Sequence, residues 1–470
     1  MVTITEGYLK VFHNNQKNPY MKILLVSPAV NASKRTNKGL RMPQLALYII
    51  EGLTPPEHEV KVIEEEAEPL NLDEECDLVG ISFMTANAPR SYEIAHEFRK
   101  RGRTVIFGGV HPTILPDEAL QHADSVVIGE AEGVWETVIR DFQHGMLKKK
   151  YHNPEPNLEK YVPKNFGRLI QKRLFNIIPI MTTRGCPYNC DFCCVSDLFG
   201  KKIRHIPVKN IVQDILDSRA RNFMFLDDNI IGQPKYAKEL FRAIKPLKIK
   251  WVGQASISLV KDAELLQLAS ESGCKALFIG LESVSEEQLK TMRKSIKEIK
   301  HLESALKKIN KMGILIHASM IFGFDDDTKN TFKETLRFLV KNKIGTASFN
   351  ILTPYPGTKT FCKLENEGRI LTTDWQYYDH NTVVFKPKKI SPVELQVWKT
   401  QVRKRFYSIS CVLERLLGNL NNPLIYLALN YGHMKQVRVE EKRIPFLKSN
   451  LEKFMKTVPV RPEHEYEPIL

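Results

Sequence analysis

Three closely spaced cysteines are the residues of this chain most suited to chemistry. Cys186, Cys190 and Cys193 have the spacing C-x3-C-x2-C and follow a short apolar run that is typical of a β-strand. Gly185 and Pro187 allow the backbone to turn back, so that three thiolates can face one point. Three soft thiolates suit an iron–sulfur cluster, whereas structural zinc takes a fourth protein ligand. The spacing therefore predicts a cluster with one iron free to bind another molecule.

These cysteines, with Phe192 before the last of them, resemble the motif of the radical S-adenosylmethionine (SAM) enzymes. The resemblance implies a four-iron four-sulfur (4Fe-4S) cluster held by Cys186, Cys190 and Cys193, and it places Phe192 among the cofactor-binding residues. The fourth iron would bind SAM, and an electron from the cluster would cleave SAM to a 5′-deoxyadenosyl radical. A reducing donor such as a flavodoxin or a ferredoxin would supply that electron. Cys194 is expected to be a bystander, because an adjacent thiol cannot easily point at the same cluster.

The elements that must position this loop alternate between strand and helix along residues 177–365. Six apolar runs separated by helical patterns predict a partial (βα)6 barrel of the TIM type, with ligands at the carboxyl ends of its strands. The residues at or beside these ends are Asp227, Gln254, Ser256, Glu282, Ser283, Ile321 and Gly323. The resemblance implies that Glu282, Ile321 and Gly323 contact SAM. The others are expected to contact SAM or to lie near the radical, with hydrogen bonding at the barrel rim as the open alternative.

A second α/β pattern precedes the barrel, over residues 21–150. Its short strands are continuously apolar, which predicts a Rossmann-like (flavodoxin-like) parallel sheet with ligands at the carboxyl ends of the strands. This region resembles the cobalamin-binding domain that precedes the radical core in one class of radical SAM enzymes. The residues on which that resemblance predicts cobalamin contacts are Ser82, Gly108, Gly109, His111, Gly129 and Glu130.

The stretch after the first strand departs from one form of that domain. Cobalamin domains that bind cobalt through histidine carry Asp-x-His-x-x-Gly there, whereas this chain has Ser27-Pro-Ala-Val-Asn-Ala-Ser33. The resemblance then implies a cobalt without that histidine ligand. His111 is a candidate for the contact, and a hydrogen-bonding role in the loop is the alternative. A domain that has lost its ligand is the alternative for the whole region.

The remaining segments are an N-terminal segment (1–20), a linker (151–176) and a mainly helical C-terminal extension (366–470). A capping signature at Ser391 and an apolar periodicity that ends near Gly418 predict one long amphipathic helix. The extension resembles that of enzymes related to the hopanoid C-2 methylases. Packing of the helix against the barrel is predicted. A peripheral membrane contact beside Arg403, Lys404 and Arg405 is the alternative.

Composition limits the class of protein. The chain has 470 residues, 43% of them hydrophobic, and a net charge of +15. It has no recognisable nucleic-acid module, so nucleic acid is not an expected partner. It also lacks an apolar run of the roughly 20 residues that a membrane span needs, and a signal-peptide core. We therefore expect no transmembrane segment and a cytoplasmic location.

These features together predict a cobalamin-dependent radical SAM methyltransferase that methylates an unactivated carbon of a small molecule. A lipid or isoprenoid substrate is the preference that the resemblance suggests. The alternative keeps the radical core but gives a rearranged, cyclised or oxidised product, which the product mass distinguishes. An iron–sulfur electron carrier is a further alternative from a different class of protein.

Overall fold

The computed structural model describes residues 20–30, 43–153, 156–158, 177–291 and 298–456. The predicted N-terminal segment, apart from Tyr20, lies outside the described residues. So do most of the predicted linker and the chain beyond residue 456.

The N-terminal sheet has six strands, all parallel, in the order β2-β1-β3-β4-β5-β6. They are β1 (Lys22–Ser27), β2 (Glu59–Glu64), β3 (Leu78–Ser82), β4 (Thr104–Gly108), β5 (Ser125–Gly129) and β6 (Lys150–Asn153). The first five follow the flavodoxin-like order, which confirms that prediction. The apolar pattern did not predict β6, because its residues Lys-Tyr-His-Asn are mostly polar.

Helices cover both faces of this sheet. They are α1 (Leu45–Leu53), α2 (Ala88–Lys100), α3 (Val110–Ile114), α4 (Pro116–His122) and α5 (Trp135–Gln143), with a 3-10 turn at Thr85–Asn87. The central strand β1 is buried along Ile23–Val26, as expected for a parallel strand covered on both sides. The strand order reverses between β1 and β3, so a crevice opens there at the carboxyl ends of the strands.

The second sheet is the predicted partial barrel. The strands of this part of the chain are β7 (Ile177–Ile180), β8 (Thr183–Arg184), β9 (Arg204–His205), β10 (Asn222–Phe225), β11 (Lys250–Ala255), β12 (Cys274–Glu282), β13 (Leu315–Phe322) and β14 (Thr346–Ile351). Six of them pair in parallel in the consecutive order β7-β10-β11-β12-β13-β14. Sequential parallel pairing is the pattern of successive βα units. The short strands β8 and β9 form a separate antiparallel pair.

The helices of the barrel region alternate with these strands. They are α6 (Val195–Phe199), α7 (Val208–Ser218), α8 (Pro234–Ile244), α9 (Ala263–Glu271), α10 (Glu286–Thr291), α11 (Ile299–Lys311), α12 (Lys329–Lys341) and α13 (Lys359–Asn366), with 3-10 turns at Lys245–Leu247 and Ile257–Lys261. A further 3-10 turn, Trp375–Tyr377, lies in the C-terminal extension. Trp251 on β11 is fully buried against Phe225 and Phe241, so aromatic packing joins strand and helix layers.

The C-terminal extension contains α14 (Pro392–Phe406), α15 (Ile409–Leu416) and α16 (Pro423–Lys456). The prediction of one long helix to Gly418 is wrong, because the chain breaks at Ser408, whose side chain accepts a hydrogen bond from Cys411 N and caps a new helix. The capping box of Ser391 and Glu394 begins α14 as predicted. The predicted packing of α14 against the barrel is seen, since Leu395 and Phe406 are buried.

The extension also closes the amino end of the barrel. Arg415 is fully buried, and its guanidinium donates to the carbonyl oxygens of Ile344 and Gly345, just before β14. Asn422 donates to the carbonyl of Gly313, just before β13. Helices α15 and α16 therefore lie under the amino ends of these strands. Across the described ranges, the helices are too short or too polar to span a membrane.

Candidate active site

The cysteine loop lies between β8 and α6, beyond the carboxyl end of β7. Gly185 begins it with φ of +93°, and a Cβ there would lie 2.8 Å from the carbonyl oxygen of Lys202. Only glycine fits this position. Cys193 N donates to the carbonyl oxygen of Cys190 over 3.0 Å, which closes a turn between two of the predicted ligands. No set of His, Cys, Asp and Glu among the described residues is arranged to hold a single metal ion. Cluster ligands differ in this respect, because each binds a different iron.

Asp227, which directly follows Leu226 at the end of β10, holds the start of this loop. Its Oδ1 accepts hydrogen bonds from the backbone nitrogens and the hydroxyls of both Thr182 and Thr183. Its side chain is buried, and burial raises the pKa of the carboxyl while the two threonines lower it. The structure thus places Asp227 beneath the loop that carries the cysteines, where it positions the loop. A direct contact with SAM remains a prediction.

Burial dominates the electrostatics around the loop. It raises the pKa of the Cys193 thiol to about 12, with a smaller contribution from the neighbouring thiols of Cys194, Cys190 and Cys186. Burial also raises the pKa of Asp228 to about 6, and repulsion from Asp227 adds to this effect. The environment therefore disfavours free thiolates, so cluster assembly has to supply the free energy that deprotonates them.

Ser256 and Gln254 lie at the end of β11 beside the loop. The Ser256 hydroxyl is 2.6 Å from that of Ser258, and the hydroxyl of Tyr188, a loop residue, lies 3.5 Å from it. Gln254 is exposed at the barrel mouth and donates to the carbonyl oxygen of Asp228. Both predicted residues therefore line the same edge as the cysteines, and Ser256 also connects the loop to the barrel.

Glu282 has an unusual backbone at the end of β12. Its φ is +63°, and the pairing with β13 shifts register between Gly280 and Glu282, so that Leu281 forms a bulge. A bulge of this kind re-aims the side chain that follows it, and strained backbone of this kind is concentrated at functional sites. Ser283, the next predicted residue, uses its hydroxyl to accept from Ser285 N. The bulge was not apparent in the sequence.

Ile321 and Gly323 lie at the end of β13, as predicted. Gly323 has φ of +109°, and a Cβ there would lie 2.9 Å from the ring of Phe385 in the C-terminal extension. Its N–H donates to Asp327 Oδ2 over 2.7 Å, and Gln288 donates to the other oxygen of Asp327. Asp327 shapes this turn and was missed by sequence reasoning, because it follows the strand by several residues.

Phe192 lies in the loop, half-buried, with its ring centroid 6.3 Å from that of Phe324 and an edge-to-face geometry. The aromatic residue before the last cysteine therefore packs against the turn that follows β13. Contact with a cofactor remains a prediction for it.

The lumen of the barrel carries polar side chains that sequence reasoning also missed. Every second residue of β13 and β14 is only half-buried, including His317, Ser319, Ser348 and Asn350. Asn350 donates to Ser319 over 3.2 Å, and His317 lies 2.9 Å from the Thr346 hydroxyl. Burial lowers the pKa of His317 to about 3, so the imidazole is neutral near pH 7. The alternation of polar residues within these otherwise apolar strands is the sequence feature that could have predicted a polar lumen.

The crevice of the N-terminal sheet is a cavity of about 480 Å³. Its lining includes five of the residues predicted to contact cobalamin, namely Ser82, Gly108, Gly109, Gly129 and Glu130. Four residues of the barrel region complete the wall, namely Met181, Arg184, Leu198 and Phe199. The cavity therefore lies between the two sheets and directly beside the cysteine loop.

Glycines make the floor of this cavity flat. Gly109 has φ of +97°, and a Cβ there would lie 2.8 Å from the backbone nitrogen and oxygen of Phe83. Gly129 also has a positive φ, and a Cβ there would be in ordinary van der Waals contact with Asn153 and His152. Because Gly108, Gly109 and Gly129 line the cavity without side chains, they suit a broad, flat ligand such as the corrin ring of cobalamin. None of the described lining residues is a histidine, and a cobalt without a histidine ligand remains a prediction.

His111 lies outside this lining, fully buried in a hydrogen-bonded network. The Tyr92 hydroxyl is 2.9 Å from His111 Nε2 and donates to Glu118 over 2.9 Å. Trp375 of the C-terminal extension donates to the same Glu118 oxygen over 2.8 Å. The structure thus places His111 where it joins two regions of the chain, in line with the hydrogen-bonding alternative, and lends no support to a contact with cobalt.

Four charged side chains, two of them buried and two half-buried, join the cavity to the cysteine loop. Glu130 accepts hydrogen bonds from Arg184 and Arg204, and Glu132 accepts from Arg184. Burial would raise the pKa of Glu132, but the two arginines lower it below its usual value. Burial likewise opposes the charge of Arg184, whereas both glutamates raise its pKa. Since Arg184 immediately precedes Gly185, this charge cluster fixes the orientation of the loop relative to the cavity.

Two family profiles match the chain at these places. The profile of the Radical SAM superfamily matches residues 180–339, which include the cysteine loop and most of the barrel. The profile of the B12 binding domain matches residues 39–139, which include most of the N-terminal sheet.

Individual proteins are similar over most of the chain. The bacteriochlorophyllide d C-12(1)-methyltransferase of Chlorobaculum tepidum is 32% identical over 84% of this chain and 90% of that protein. The hopanoid C-2 methylase of Rhodopseudomonas palustris is 24% identical over 71% of this chain and 66% of that protein. The solved structure of the cobalamin-dependent SAM radical enzyme OxsB, with aqua-cobalamin and SAM bound, has a TM-score of 0.66 at 16% identity, covering 94% of this chain and 82% of that one. This last similarity concerns the fold alone.

Proposed function

Since this chain belongs to the cobalamin-binding radical SAM methyltransferases, we propose that it transfers a methyl group to an unactivated carbon of a large, mostly apolar small molecule. Its cofactors are a 4Fe-4S cluster, SAM and cobalamin. When bound, the cluster and SAM supply a radical that removes hydrogen from the substrate, and cobalamin supplies the methyl group. The work of the chain is to orient these groups and to exclude water.

One observation carries this proposal. The wall of the cobalamin-type cavity is shared between the two sheets, because Met181 and Arg184 line it together with Gly109 and Glu130. Arg184 also leads into the cysteine loop. A methyl donor held in the cavity and a radical source held at the loop are thus neighbours, as transfer to a substrate radical between them requires.

Separate sets of residues then carry separate roles. Cys186, Cys190 and Cys193 would hold the cluster, and Asp227 would hold the loop in place through Thr182 and Thr183. Gln254, Ser256, Glu282 and Ile321 lie at the carboxyl ends of the barrel strands, where they would orient SAM and the substrate. Gly108, Gly109 and Gly129 would let the corrin ring approach the backbone.

The lumen suggests the class of substrate. Its half-buried residues combine the aromatic ring of Phe278 with neutral polar groups on His317, Ser319, Ser348 and Asn350. Apart from Arg403, which acts on His317 and is paired with Glu440, these lumen residues are uncharged, and such a lining favours a large carbon skeleton with few charges over a nucleotide or a peptide. By their names, two relatives act on bacteriochlorophyllide d and on a hopanoid. We therefore propose an alkyl-substituted ring system, with an isoprenoid lipid and a tetrapyrrole as the two kinds to test.

The proposal extends to the surroundings of the reaction. An oxygen-sensitive cluster and free thiols need a reducing compartment, so we propose a cytoplasmic location, with a flavodoxin or a ferredoxin as electron donor.

The test uses protein purified anaerobically and reconstituted with iron, sulfide and cobalamin, with a low-potential reductant as electron source. The added SAM carries a deuterated methyl group, because SAM would also remethylate cobalamin. Candidate isoprenoids and tetrapyrroles are incubated separately, and the products are analysed by mass spectrometry. The expected product has gained one deuterated methyl group in place of hydrogen, with 5′-deoxyadenosine as a co-product. Cys193→Ala should abolish both products, and Cys362→Ala, which changes a half-buried thiol outside the loop, should retain both.

A second reaction class has a defined outcome in the same experiment. If 5′-deoxyadenosine forms but the substrate loses hydrogen or rearranges without gaining carbon, the protein catalyses a non-methylating radical reaction. Stoichiometric iron without bound cobalamin would point in the same direction. Either result would overturn methyl transfer while leaving the radical core intact.

A further inference from the structure

The first turns of α16 expose apolar residues that a soluble helix would normally cover. Tyr426 and Asn430 face the protein and are fully buried. The opposite side carries Leu424, Leu427 and Tyr431, with exposed fractions of 81%, 41% and 60%. A helix that is apolar on all sides is normally covered on all sides. The outer side of this helix end therefore lacks cover within the described part of the chain.

The same surface continues onto α15 and the connection to α16. Ile409 and Leu413 lie one turn apart on the outer face of α15, with exposed fractions of 67% and 57%. Leu417 and Leu420 continue this row of apolar side chains, with exposed fractions of 72% and 60%. We call this surface the apolar corner, which comprises Ile409, Leu413, Leu417, Leu420, Leu424, Ile425, Leu427 and Tyr431. An exposed apolar surface of this extent normally marks a site of interaction.

Positively charged residues lie beside the apolar corner. Lys435 lies one turn beyond Tyr431, with its Nζ 4.6 Å from the centroid of the Tyr431 ring, and Arg438 follows on an exposed part of the same helix. The connection packs against the amino ends of the barrel strands, because Gly418 lies against Lys343 and Asn422 bonds to Gly313.

Further lysines at that end of the barrel are exposed, namely Lys248, Lys250, Lys307, Lys308 and Lys311. Between residues 409 and 439 the sequence has a single acidic residue, Glu414.

This arrangement differs from the membrane contact that the sequence suggested. Arg403 forms an ion pair with Glu440, and Lys404 forms one with Glu441, so two of the three cations on α14 are already used within the protein. The apolar stripe of α14 packs on the barrel, as Leu395 and Phe406 show. The surface that remains apolar and positively rimmed is the corner, one helix further along the chain.

We propose that the apolar corner docks on a membrane surface that contains anionic lipids. Leucine, isoleucine and tyrosine side chains would enter the boundary between headgroups and acyl chains, while Lys435, Arg438 and the lysines at the barrel end would face the anionic headgroups. A symmetric contact with a second copy fits less well, because it would bring the same cations opposite each other. The corner lies under the amino ends of the strands, at the opposite end of the barrel from the cofactors, so docking leaves the cofactor edge accessible.

Flotation of the full-length, cluster-reconstituted protein with lipid vesicles tests this proposal independently of catalysis. Vesicles of phosphatidylcholine alone are compared with vesicles that contain one third phosphatidylglycerol. The test variant is Leu417→Ser with Leu424→Ser, two exposed positions. The matched control is Met146→Ser with Leu216→Ser, which are exposed outside the corner. A third variant, Lys435→Gln with Arg438→Gln, tests the charged rim.

We expect the wild-type protein and the control to float with anionic vesicles, and to float less with neutral vesicles or at high salt. The Leu417/Leu424 variant should lose about tenfold in vesicle affinity, and the Lys435/Arg438 variant should lose affinity for anionic vesicles only. Because the charged-rim variant alters exposed side chains alone, it keeps the test decisive if the leucine variant loses its cluster or folds poorly.

Three outcomes would overturn the proposal. In the first, the wild-type protein floats with neither kind of vesicle. In the second, the control loses as much affinity as the leucine variant, so that binding does not involve the corner. In the third, sedimentation shows that the wild-type protein is a dimer without lipid and that the leucine variant is a monomer, which would make the corner a contact between copies of this chain. These measurements do not test the proposed methyl transfer, because none of them requires turnover.

Discussion

The two parallel sheets of this protein both present ligand sites at the carboxyl ends of their strands, but they build them differently. The N-terminal sheet relies on backbone, with Gly108, Gly109 and Gly129 along the cavity. The barrel relies on buried side chains, with Asp227 and Asp327 each accepting several hydrogen bonds next to the strand ends. One edge offers a shaped surface, and the other offers oriented polar groups.

The difference follows from what each edge has to hold. A corrin ring arrives with its geometry already set, so the protein has only to provide a surface of the right shape. A cluster with three cysteine ligands has no binding site until the loop that carries them is folded. Hydrogen bonds from residues beneath the loop must therefore hold it in position. We therefore expect the barrel edge to be sensitive to the loss of a single acceptor, and the N-terminal edge to be sensitive to the gain of a single methyl group.

The largest effect is expected for Asp227→Ala. This change leaves the buried donors of Thr182 and Thr183 without their acceptor, at about 1–3 kcal/mol for each unsatisfied group. We expect an apparent loss of about 10- to 100-fold in cluster affinity, as for other residues that position metal ligands. Iron and sulfide analysis after reconstitution measures this loss. Asp217→Ala, at an exposed site on α7, is the control. Full iron content in Asp227→Ala would show that the cysteine loop keeps its conformation without hydrogen bonds to Asp227.

The next effect tests the charge cluster that joins the two edges. Glu130 bonds to both Arg184 and Arg204, whereas Glu132 bonds to Arg184 alone. Removing one partner of a buried ion pair costs about 3–5 kcal/mol, because the other charge stays buried. We expect Glu130→Gln to lower the urea midpoint clearly more than Glu132→Gln does. Equal midpoints for the two variants would mean that the contact with Arg204 contributes nothing.

The N-terminal edge is tested by adding a methyl group. Gly109→Ala and Gly102→Ala both place alanine at a positive φ, which costs about 1 kcal/mol at Gly102 and more at Gly109, because a φ of 97° with a ψ of −167° is essentially restricted to glycine. At Gly109 the new Cβ also meets the backbone of Phe83 at 2.8 Å, whereas at Gly102 it meets no atom within 4 Å. We expect Gly109→Ala to lose about 2 kcal/mol more than Gly102→Ala and to bind less cobalamin, as measured by urea unfolding and the optical spectrum. Cobalamin binding that is unchanged in Gly109→Ala would place the ligand elsewhere.

The positions of the two edges could be predicted because parallel strands buried on both faces are continuous apolar runs. Lys22–Ser27 and Ile177–Ile180 stand out on this basis, and the cysteine loop lies beyond the second of these runs. The pattern did not predict β6, because an edge strand such as Lys150–Asn153 needs no apolar face. Nor did it show the break at Ser408, because apolar residues keep helical spacing on both sides of it.

The direction of the side chains could not be predicted. Asp227 and Glu130 were both placed correctly at the end of a strand, but no sequence pattern shows that one carboxylate turns to two threonines and the other to two arginines. These choices depend on residues that are distant along the chain. The bulge before Glu282 is hidden for the same reason, since it arises from the pairing of β12 with β13. The contact of Asp327 with Gln288 on α10 is hidden as well, because the two residues are distant along the chain.

The pH dependence of stability tests the role of Glu132 in the charge cluster. The arginines lower the pKa of Glu132 below its ordinary value of 4.5, against the effect of burial. Its contribution to stability is thus complete above about pH 4.5 and is lost as the pH falls through the lower value in the folded state. We expect the difference in urea midpoint between wild type and Glu132→Gln to be constant from pH 7 to pH 5 and to shrink at lower pH. If the difference in urea midpoint grew at lower pH, the arginines would raise the pKa of Glu132 rather than lower it.

The smallest effect concerns the bulge at the barrel edge. Glu282→Gly and Glu282→Ala both remove the carboxylate, and they differ only in how well the residue adopts a φ of +63°. Because glycine adopts this conformation without strain, we expect Glu282→Gly to be about 1 kcal/mol more stable than Glu282→Ala in urea unfolding. At Glu264, an exposed residue in the first turn of α9, the same pair should differ by a similar amount with the opposite sign, since glycine weakens a helix. If the glycine variant were less stable than the alanine variant at both positions, the backbone at Glu282 would not be strained. The two edges would then differ only in the chemistry of their side chains.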